Sequence, residues 1–252
     1  MVCIHGVTNK THEALRTIFV ARENVYAHLA KTFYGIFILS ELRQGIHLLV
    51  EYIELMGEGE SGRELQDAVN RYRKAAEHIF PEDIDRLEYE YNRLFVGPTS
   101  LIAPPYESVY RTEDHLVMGE TTLDVRRAYR EANLRVRETF KEPEDHIATE
   151  LEYLAELQGR CLDALEEDDI REVQRLMHQE QSFTENHLLL WVPEFCKRIR
   201  EGARMEFFSA LADVLSLFVG KDMDILKELK VVLNHKSEGI CFSIPSQKRK
   251  GG

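Results

Sequence analysis

Apolar residues recur every three or four positions along most of this chain, the spacing that places them on one face of an α-helix. The first such pattern runs from Thr11 to Tyr34 and is interrupted by Gly35. No segment follows the two-residue alternation of a β-strand. We therefore expect an all-α fold, a single globular domain of about nine to ten helices. Further helices are predicted to begin near Ser40, Ser61, Pro81, Thr121, Pro143, Asp168 or Asp169, Pro193, Met205 and Met223, with Gly220 between the last two.

The limits of the predicted domain follow from the same pattern. Ser61 and Glu64 have the spacing of a capping box at a helix start. The Gly-rich piece at residues 57–62 is too short to link two domains. We expect one helical domain over residues 1–235 and, because the helical periodicity is then lost, a disordered basic tail over residues 236–252.

The charge of the chain restricts its partners. The 252 residues carry a formal net charge of −12, and the tail holds four bases and one acid, so the first 235 residues carry −15. Such a body repels nucleic acid and anionic lipid and attracts basic segments. We therefore expect no nucleic-acid partner.

The N-terminus and the cysteines predict a location. MVCIHGVTNK lacks the basic start and apolar run of an export signal, and no apolar stretch is long enough to cross a bilayer. Cys3, Cys161, Cys196 and Cys241 are scattered without a CxxC pair, which is typical of reduced thiols, and Cys161 and Cys196 are expected to be core residues. We therefore expect a cytoplasmic protein with no stable membrane insertion.

One segment departs from the charged amphipathic pattern. Residues 89–110, YEYNRLFVGPTSLIAPPYESVY, are dense in aromatic residues, Pro and Gly. Gly97-Pro98 and Pro104-Pro105 prevent a helix from continuing and stiffen the backbone. Two interpretations stay open, a preformed binding surface and a loop folded onto its own core.

A second segment, EPEDHIATELE at residues 142–152, combines a proline suited to a first helical turn with a cluster of acids. A further group of acids precedes the aromatic segment, at residues 82–90. Both candidate binding segments are therefore flanked by negative charge, as a receptor for a basic ligand requires.

Signals for catalysis or nucleotide binding are weak. Residues 57–62 match GxGxxG, but a helix precedes them and two glutamates oppose a pyrophosphate. None of the ten histidines has the spacing of a helical metal site, and Ser108 lacks the strand-turn-helix setting of a catalytic serine. The only tryptophan, Trp191, lies in an apolar run and is expected in the core.

Four ordered motifs together resemble one family. They are LFVGP at Leu94, APPYESVY at Ala103, MGETT at Met118 and EPEDHIATELEYLAEL at Glu142. The chain resembles the TorD/DmsD family of redox-enzyme maturation chaperones, closely over residues 89–157 and elsewhere as an all-helical pattern. The family favours Gly just after the helix that contains Tyr129, where this chain has Asn133. Asparagine also tolerates the left-handed conformation of a helix end.

The resemblance implies a cytoplasmic chaperone that binds the twin-arginine signal peptide and the apo form of a molybdenum or iron-sulfur oxidoreductase before its export. It implies no catalytic residue, no metal site and no cofactor of the chaperone itself. The oligomeric state implied is a monomer or a domain-swapped dimer. The client enzyme and any binding of guanine nucleotide stay open.

The same resemblance implies a peptide-binding site. Leu94, Phe95, Pro105 and Tyr106 are expected to meet the apolar stretch of the peptide, and Glu107 and Asp145 its arginines. His146 is expected to orient Asp145 or to bond the peptide backbone, and Gly119 to allow close backbone approach. The full set by family position is Tyr91, Leu94, Phe95, Pro105, Tyr106, Glu107, Gly119, Asp145 and His146.

Two alternatives from other classes remain. One is a helical metal-dependent enzyme that uses Asp145, His146 and Glu150, because His146 and Glu150 lie one turn apart on a helix. The other is a scaffold that binds a folded partner through the aromatic segment. Metal analysis separates the first alternative from the chaperone hypothesis, and binding of an isolated signal peptide separates the second.

Overall fold

The computed structural model of the protein describes residues 9–56, 60–97, 101–113, 115–136 and 142–236. Within these ranges the backbone forms ten α-helices, and its only β-type pairing is one isolated bridge. The predicted all-α fold of nine to ten helices is confirmed. The helices are α1 (Asn9–Phe33), α2 (Leu39–Met56), α3 (Glu60–Glu77), α4 (Ile84–Tyr91), α5 (Glu107–Arg111), α6 (Glu120–Glu131), α7 (Ile147–Glu166), α8 (Ile170–Phe183), α9 (Leu189–Gly202) and α10 (Glu206–Lys236).

The centre of the fold is built around α1 and α10. Helix α1 packs along α7 and α2, and α10 packs against α3 and α9. The apolar positions predicted for the first helix, among them Phe19 and Phe33, are almost fully buried. Trp191, Cys161 and Cys196 also lie in the core, as the sequence predicts.

A polar network crosses the interior between four helices. Arg22 of α1 is fully enclosed and donates to both carboxylate oxygens of Asp222 on α10, at 2.7 Å each. It also donates to Gln158 of α7 at 2.7 Å and to Glu180 of α8. Buried charges persist only when they are paired, so this network fixes how the four helices meet.

Two predicted helix breaks are wrong. Gly220 lies inside the continuous α10 because its neighbours Val219 and Met223 are buried, and core packing outweighs the low helix propensity of glycine. Pro193 lies inside α9 rather than at its start. A wider π-helical turn at Thr184–Leu188 precedes it and loosens the hydrogen-bond ladder that proline interrupts.

The other helix ends are set by single residues. Asp169 caps α8, its Oδ1 accepting from the Glu172 amide at 3.0 Å, and Asn133 has a positive φ of 55°; both predictions are confirmed. The helix expected from Pro143 begins instead at Ile147, because the residues before it form a turn.

Some predictions fall on residues that are not described. These are the Ser61 side chain of the capping box, most of the Gly-rich piece, Pro98, Cys3, Cys241 and the tail from residue 237. No described helix has the length and apolar character needed to cross a bilayer.

Candidate functional site

The two segments that carry the family resemblance meet in the fold. An antiparallel bridge joins Tyr106 to His146. The Glu107 amide donates to the Asp145 carbonyl at 3.0 Å, and the Ile147 amide donates to the Pro105 carbonyl at 2.8 Å. The structure therefore brings Pro105, Tyr106, Glu107, Asp145 and His146 together, as the resemblance implies.

The Asp145 carboxylate ties two short helices to this junction. It is fully buried, and its Oδ2 accepts from the Ser108 amide in the first turn of α5 at 2.8 Å. Its Oδ1 accepts from the Thr122 hydroxyl in the first turn of α6 at 3.0 Å. In this arrangement the carboxylate points into the protein, so a direct contact with a peptide arginine requires the network to open.

Glu107 and Glu150 form a buried carboxyl pair beneath the junction. Arg111 donates to Glu107 at 2.8 Å, and the second Glu107 oxygen lies 2.8 Å from His187 Nδ1. Trp191 Nε1 donates to Glu150 at 3.1 Å. Burial raises the pKa of the Glu150 carboxyl well above its usual range, and the charge of Glu107 raises it further. Both effects favour the protonated form of Glu150 in the folded protein.

Replacing Glu150 by glutamine should stabilise the protein increasingly as pH rises. Glutamine has the shape of the protonated acid and keeps an oxygen that accepts from Trp191, but it never ionises. In the parent, the unfolded chain loses the Glu150 proton near its ordinary pKa of 4.5 while the folded chain keeps it. The free energy of unfolding then falls as pH rises above that value, by up to about 1.4 kcal/mol per pH unit.

Urea unfolding between about pH 5 and pH 7 measures this difference, and Glu150→Gln should lose that part of the slope. The exposed Glu228→Gln removes the same charge and is the matched control. Identical pH dependence of the parent and Glu150→Gln would show that Glu150 is ionised in the fold.

His146 is a neutral ring within an aromatic stack. Its Nδ1 accepts from the Ala148 amide at 3.1 Å, which caps α7. The ring lies parallel to Tyr34 with centroids 6.2 Å apart and meets the edge of Tyr106 at 5.3 Å. Burial lowers the pKa of His146 to about 3, so this residue shapes an apolar wall and contributes no charge.

The aromatic segment folds onto its own core over most of its length. Leu94, Phe95 and Pro105 are buried, and the Phe95 ring makes edge-on and tilted contacts with core phenylalanines. Tyr91 is half-buried and its hydroxyl donates to the Phe33 carbonyl at 2.9 Å. Of the two interpretations of this segment, the structure favours core packing for these side chains, while Tyr106 stays half-exposed.

Gly119 lies at the start of α6, away from close backbone contacts. A Cβ atom built there meets Thr112 Cγ2 at 3.4 Å, an ordinary contact, and the φ of Gly119 is −99°. Packing within this chain therefore does not require glycine at this position.

A surface cleft of about 440 Å³ includes the Tyr34 member of the aromatic stack. Tyr34 donates to Glu152 at 2.7 Å, and Ile36 beside it is 51% exposed. Tyr129 and Tyr153 are in ring contact, with centroids 4.7 Å apart. The cleft thus combines aromatic and aliphatic surface with two carboxylates, Glu152 and Glu156, and one guanidinium, Arg135. Its lining residues are Tyr34, Ile36, Tyr129, Leu134, Arg135, Val136, Thr149, Glu152, Tyr153 and Glu156.

Most residues of this cleft lie outside the motifs that predict the site. Thr149, Glu152, Tyr153 and Glu156 form one row of α7 at helical spacing, and this row is the signal that could have identified its wall. Another acid, Glu142, accepts a hydrogen bond from the Tyr106 hydroxyl at 2.6 Å.

The three side chains considered for a metal-dependent enzyme each contact different partners. Asp145 binds the starts of α5 and α6, His146 caps α7, and Glu150 pairs with Glu107 and Trp191. Among the described residues, no group of three or more His, Cys, Asp or Glu side chains has the arrangement of a metal site.

The chain is similar in sequence to one protein family and to several chaperones. Residues 58–197 match the family model described as nitrate reductase delta subunit. The chain is 28% identical over 165 residues to the chaperone protein TorD of Photobacterium profundum, covering 65% of this chain and 75% of that protein. It is 29% identical over 143 residues to TorD of Vibrio cholerae, covering 57% of this chain and 63% of that protein.

One solved structure is also similar. It is a protein from Archaeoglobus fulgidus described as a redox enzyme maturation protein, with 23% identity and a TM-score of 0.48. The match covers 79% of this chain and 93% of that chain.

Proposed function

The chain belongs to the nitrate reductase delta subunit family, whose pattern spans residues 58–197, and from this membership we propose that it is a cytoplasmic maturation chaperone for a redox enzyme. Its similarity to proteins named chaperone protein TorD supports the proposal. In finer terms, it binds the twin-arginine signal peptide and apo form of a molybdenum or iron-sulfur oxidoreductase. It thereby delays export until the cofactor is inserted, and performs no bond chemistry itself.

The cleft beside Tyr34 supports the finer part of the proposal, the binding of a signal peptide. A twin-arginine signal has two adjacent cations followed by an apolar stretch, so its receptor needs carboxylates beside an apolar groove. Glu152 and Glu156 supply the carboxylates on one turn of α7, and Ile36 and Leu134 supply apolar surface.

In this proposal the residues implied by the family have two roles. Tyr106 and His146 form the wall that holds Tyr34, and Tyr91, Leu94, Phe95 and Pro105 support that wall from the core. Glu107 and Asp145 are positioning residues that fix α5 and α6, and Gly119 begins the α6 turn held by Asp145. The peptide arginines meet the acids of α7 and Glu142.

The expected affinity is moderate. Burial of three apolar side chains contributes roughly 5 to 9 kcal/mol, and two charge-assisted hydrogen bonds add roughly 3 to 6 kcal/mol. Ordering the peptide costs about 2 to 5 kcal/mol and its lost translational and rotational freedom costs several more, so about 8 kcal/mol remains at the favourable end of these ranges. The balance corresponds to about micromolar binding, which suits a chaperone that must release its client.

Calorimetric titration with a synthetic signal peptide tests the proposal. A peptide with two arginines before an apolar stretch should bind, and the same peptide with both arginines replaced by glutamine should bind at least about tenfold more weakly. The double variant Glu152→Gln, Glu156→Gln should lose about tenfold in affinity for the arginine peptide while keeping an oxygen for the Tyr34 hydroxyl.

Glu228→Gln, which lies outside the cleft, is the matched control and should bind as the parent does. Added salt should weaken capture, since the ion pairs form near the surface. Equal affinity for the arginine and glutamine peptides would contradict the proposed recognition.

A further inference from the structure

A second cleft, of about 520 Å³, lies between the end of α3, the helix α4 and the junction of α9 with α10. Its apolar side chains include the buried Ile79 and Phe207. Its lining carries four guanidinium or ammonium groups against one carboxylate, a net charge of +3 with histidine neutral. We call it the basic cleft; it is lined by Arg71, Lys74, Ala75, His78, Ile79, Arg86, Arg204, Met205, Glu206 and Phe207.

Part of this positive charge is not ion-paired within the described residues. Arg71 is ion-paired to two carboxylates at 2.7 Å. Lys74, Arg86 and Arg204 are exposed, and none of their side chains forms a salt bridge within 4.0 Å in the part of the chain that the structure describes. The Arg204 amide donates to the buried Glu90 carboxylate at 2.6 Å, so Lys74 and Arg86 are the bases furthest from compensation. Because the whole chain carries −12, a concentration of unpaired bases over an apolar floor favours an acidic occupant with an apolar anchor.

Residues that combine acidic and apolar side chains follow the cleft residue Ile79 along the chain. Phe80 directly follows Ile79 of the cleft and is 51% exposed, and Tyr89 at the end of α4 is 66% exposed. Glu82 and Asp85 lie between Phe80 and Tyr89 in the sequence and are also exposed. We call Phe80, Glu82, Asp85 and Tyr89 the acidic ridge.

We propose that the acidic ridge of one copy of this chain docks into the basic cleft of a second copy, and reciprocally, to form a two-fold dimer. The ridge and the cleft adjoin, so together they make one self-complementary patch, as an isologous interface requires. Phe80 enters the apolar floor, while Glu82 and Asp85 face Lys74 and His78. No helix is exchanged between copies, which distinguishes this dimer from a domain-swapped one.

The overall negative charge of the two copies does not prevent this contact. At physiological ionic strength the Debye length is about 8 Å, so charges elsewhere on the two bodies are largely screened. The ridge and cleft charges act at contact distance, where aligned opposite charges attract and like charges exclude wrong partners. The dimer therefore depends on local charge matching.

Variants in which acidic and basic side chains are exchanged test this pairing. Their self-association is measured by sedimentation of the full chain over a range of concentrations. The cleft variant Lys74→Glu, His78→Glu and the ridge variant Glu82→Lys, Asp85→Lys should each weaken self-association at least about tenfold, because like charges then meet. An equimolar mixture of the two should associate within about threefold of the parent, because both contacts then pair opposite charges. Phe80→Ser, which removes the apolar anchor, should also weaken the parent dimer.

Circular dichroism of each variant confirms that the exposed substitutions leave the fold intact. A parent that stays monomeric at every concentration overturns the proposal. So does association that neither variant weakens, since a different surface then forms the dimer. Failure of the folded variants to associate when mixed overturns the reciprocal pairing.

Discussion

Replacing Arg22 by methionine should lower the free energy of unfolding by about 3 to 5 kcal/mol. Methionine fills similar volume but leaves Asp222 and Glu180 buried without their cation. Even with Arg22 present, burial is the largest influence on Glu180 and raises its pKa to about 7, which shows how strongly this interior disfavours a free carboxylate. Urea unfolding followed by circular dichroism measures the loss.

Arg16→Met on the same helix is the matched control. Arg16 pairs with Glu166 at 3.8 Å, with both side chains more than half exposed. An exposed pair of this kind contributes about 0 to 1 kcal/mol. Similar losses from the two substitutions would mean that the interior network does not hold the four helices together.

Replacing Asp145 by alanine should destabilise the protein by about 2 to 4 kcal/mol. Alanine leaves the Ser108 amide and the Thr122 hydroxyl without an acceptor in a buried site. Asparagine should cost less than about 1 kcal/mol, because its oxygen accepts from Ser108 and its amide donates to the rotatable Thr122 hydroxyl. Chemical unfolding of the three proteins gives the comparison.

The same substitutions separate positioning from direct contact with the peptide. If Asp145 acts by fixing α5 and α6, Asp145→Asn should keep the peptide affinity within about threefold of the parent, and Asp145→Ala should weaken it. Loss of binding in Asp145→Asn with stability retained would show that the carboxylate itself meets a peptide arginine.

The sequence predicts the helices and several of their ends because those signals are local. Asn133 tolerates a positive φ and Asp169 offers an acceptor to a free amide, so each acts within a few residues of its position. Gly220 and Pro193 mislead because their effect depends on context. Buried neighbours carry α10 through the glycine, and a π-helical turn accommodates the proline.

The candidate site divides in the same way. The family resemblance places the segments of Tyr106 and His146 in one site, and the structure joins them by a bridge. A resemblance can do this because members of a family share a fold. It does not predict that the Asp145 carboxylate faces inward, because that direction depends on Thr122 in another helix. The cleft escapes prediction for a related reason: Tyr34 and Glu152 are more than a hundred residues apart in the sequence.

Photo-cross-linking shows directly whether the cleft beside Tyr34 captures the signal peptide. A twin-arginine peptide with a benzophenone side chain in its apolar stretch is irradiated with the full chain, and the products are mapped by mass spectrometry. Cross-links are expected within residues 129–136 and 149–156, which contribute most of the lining of this cleft. Cross-links confined to other surfaces, with residues 129–136 and 149–156 unlabelled, would contradict capture by this cleft.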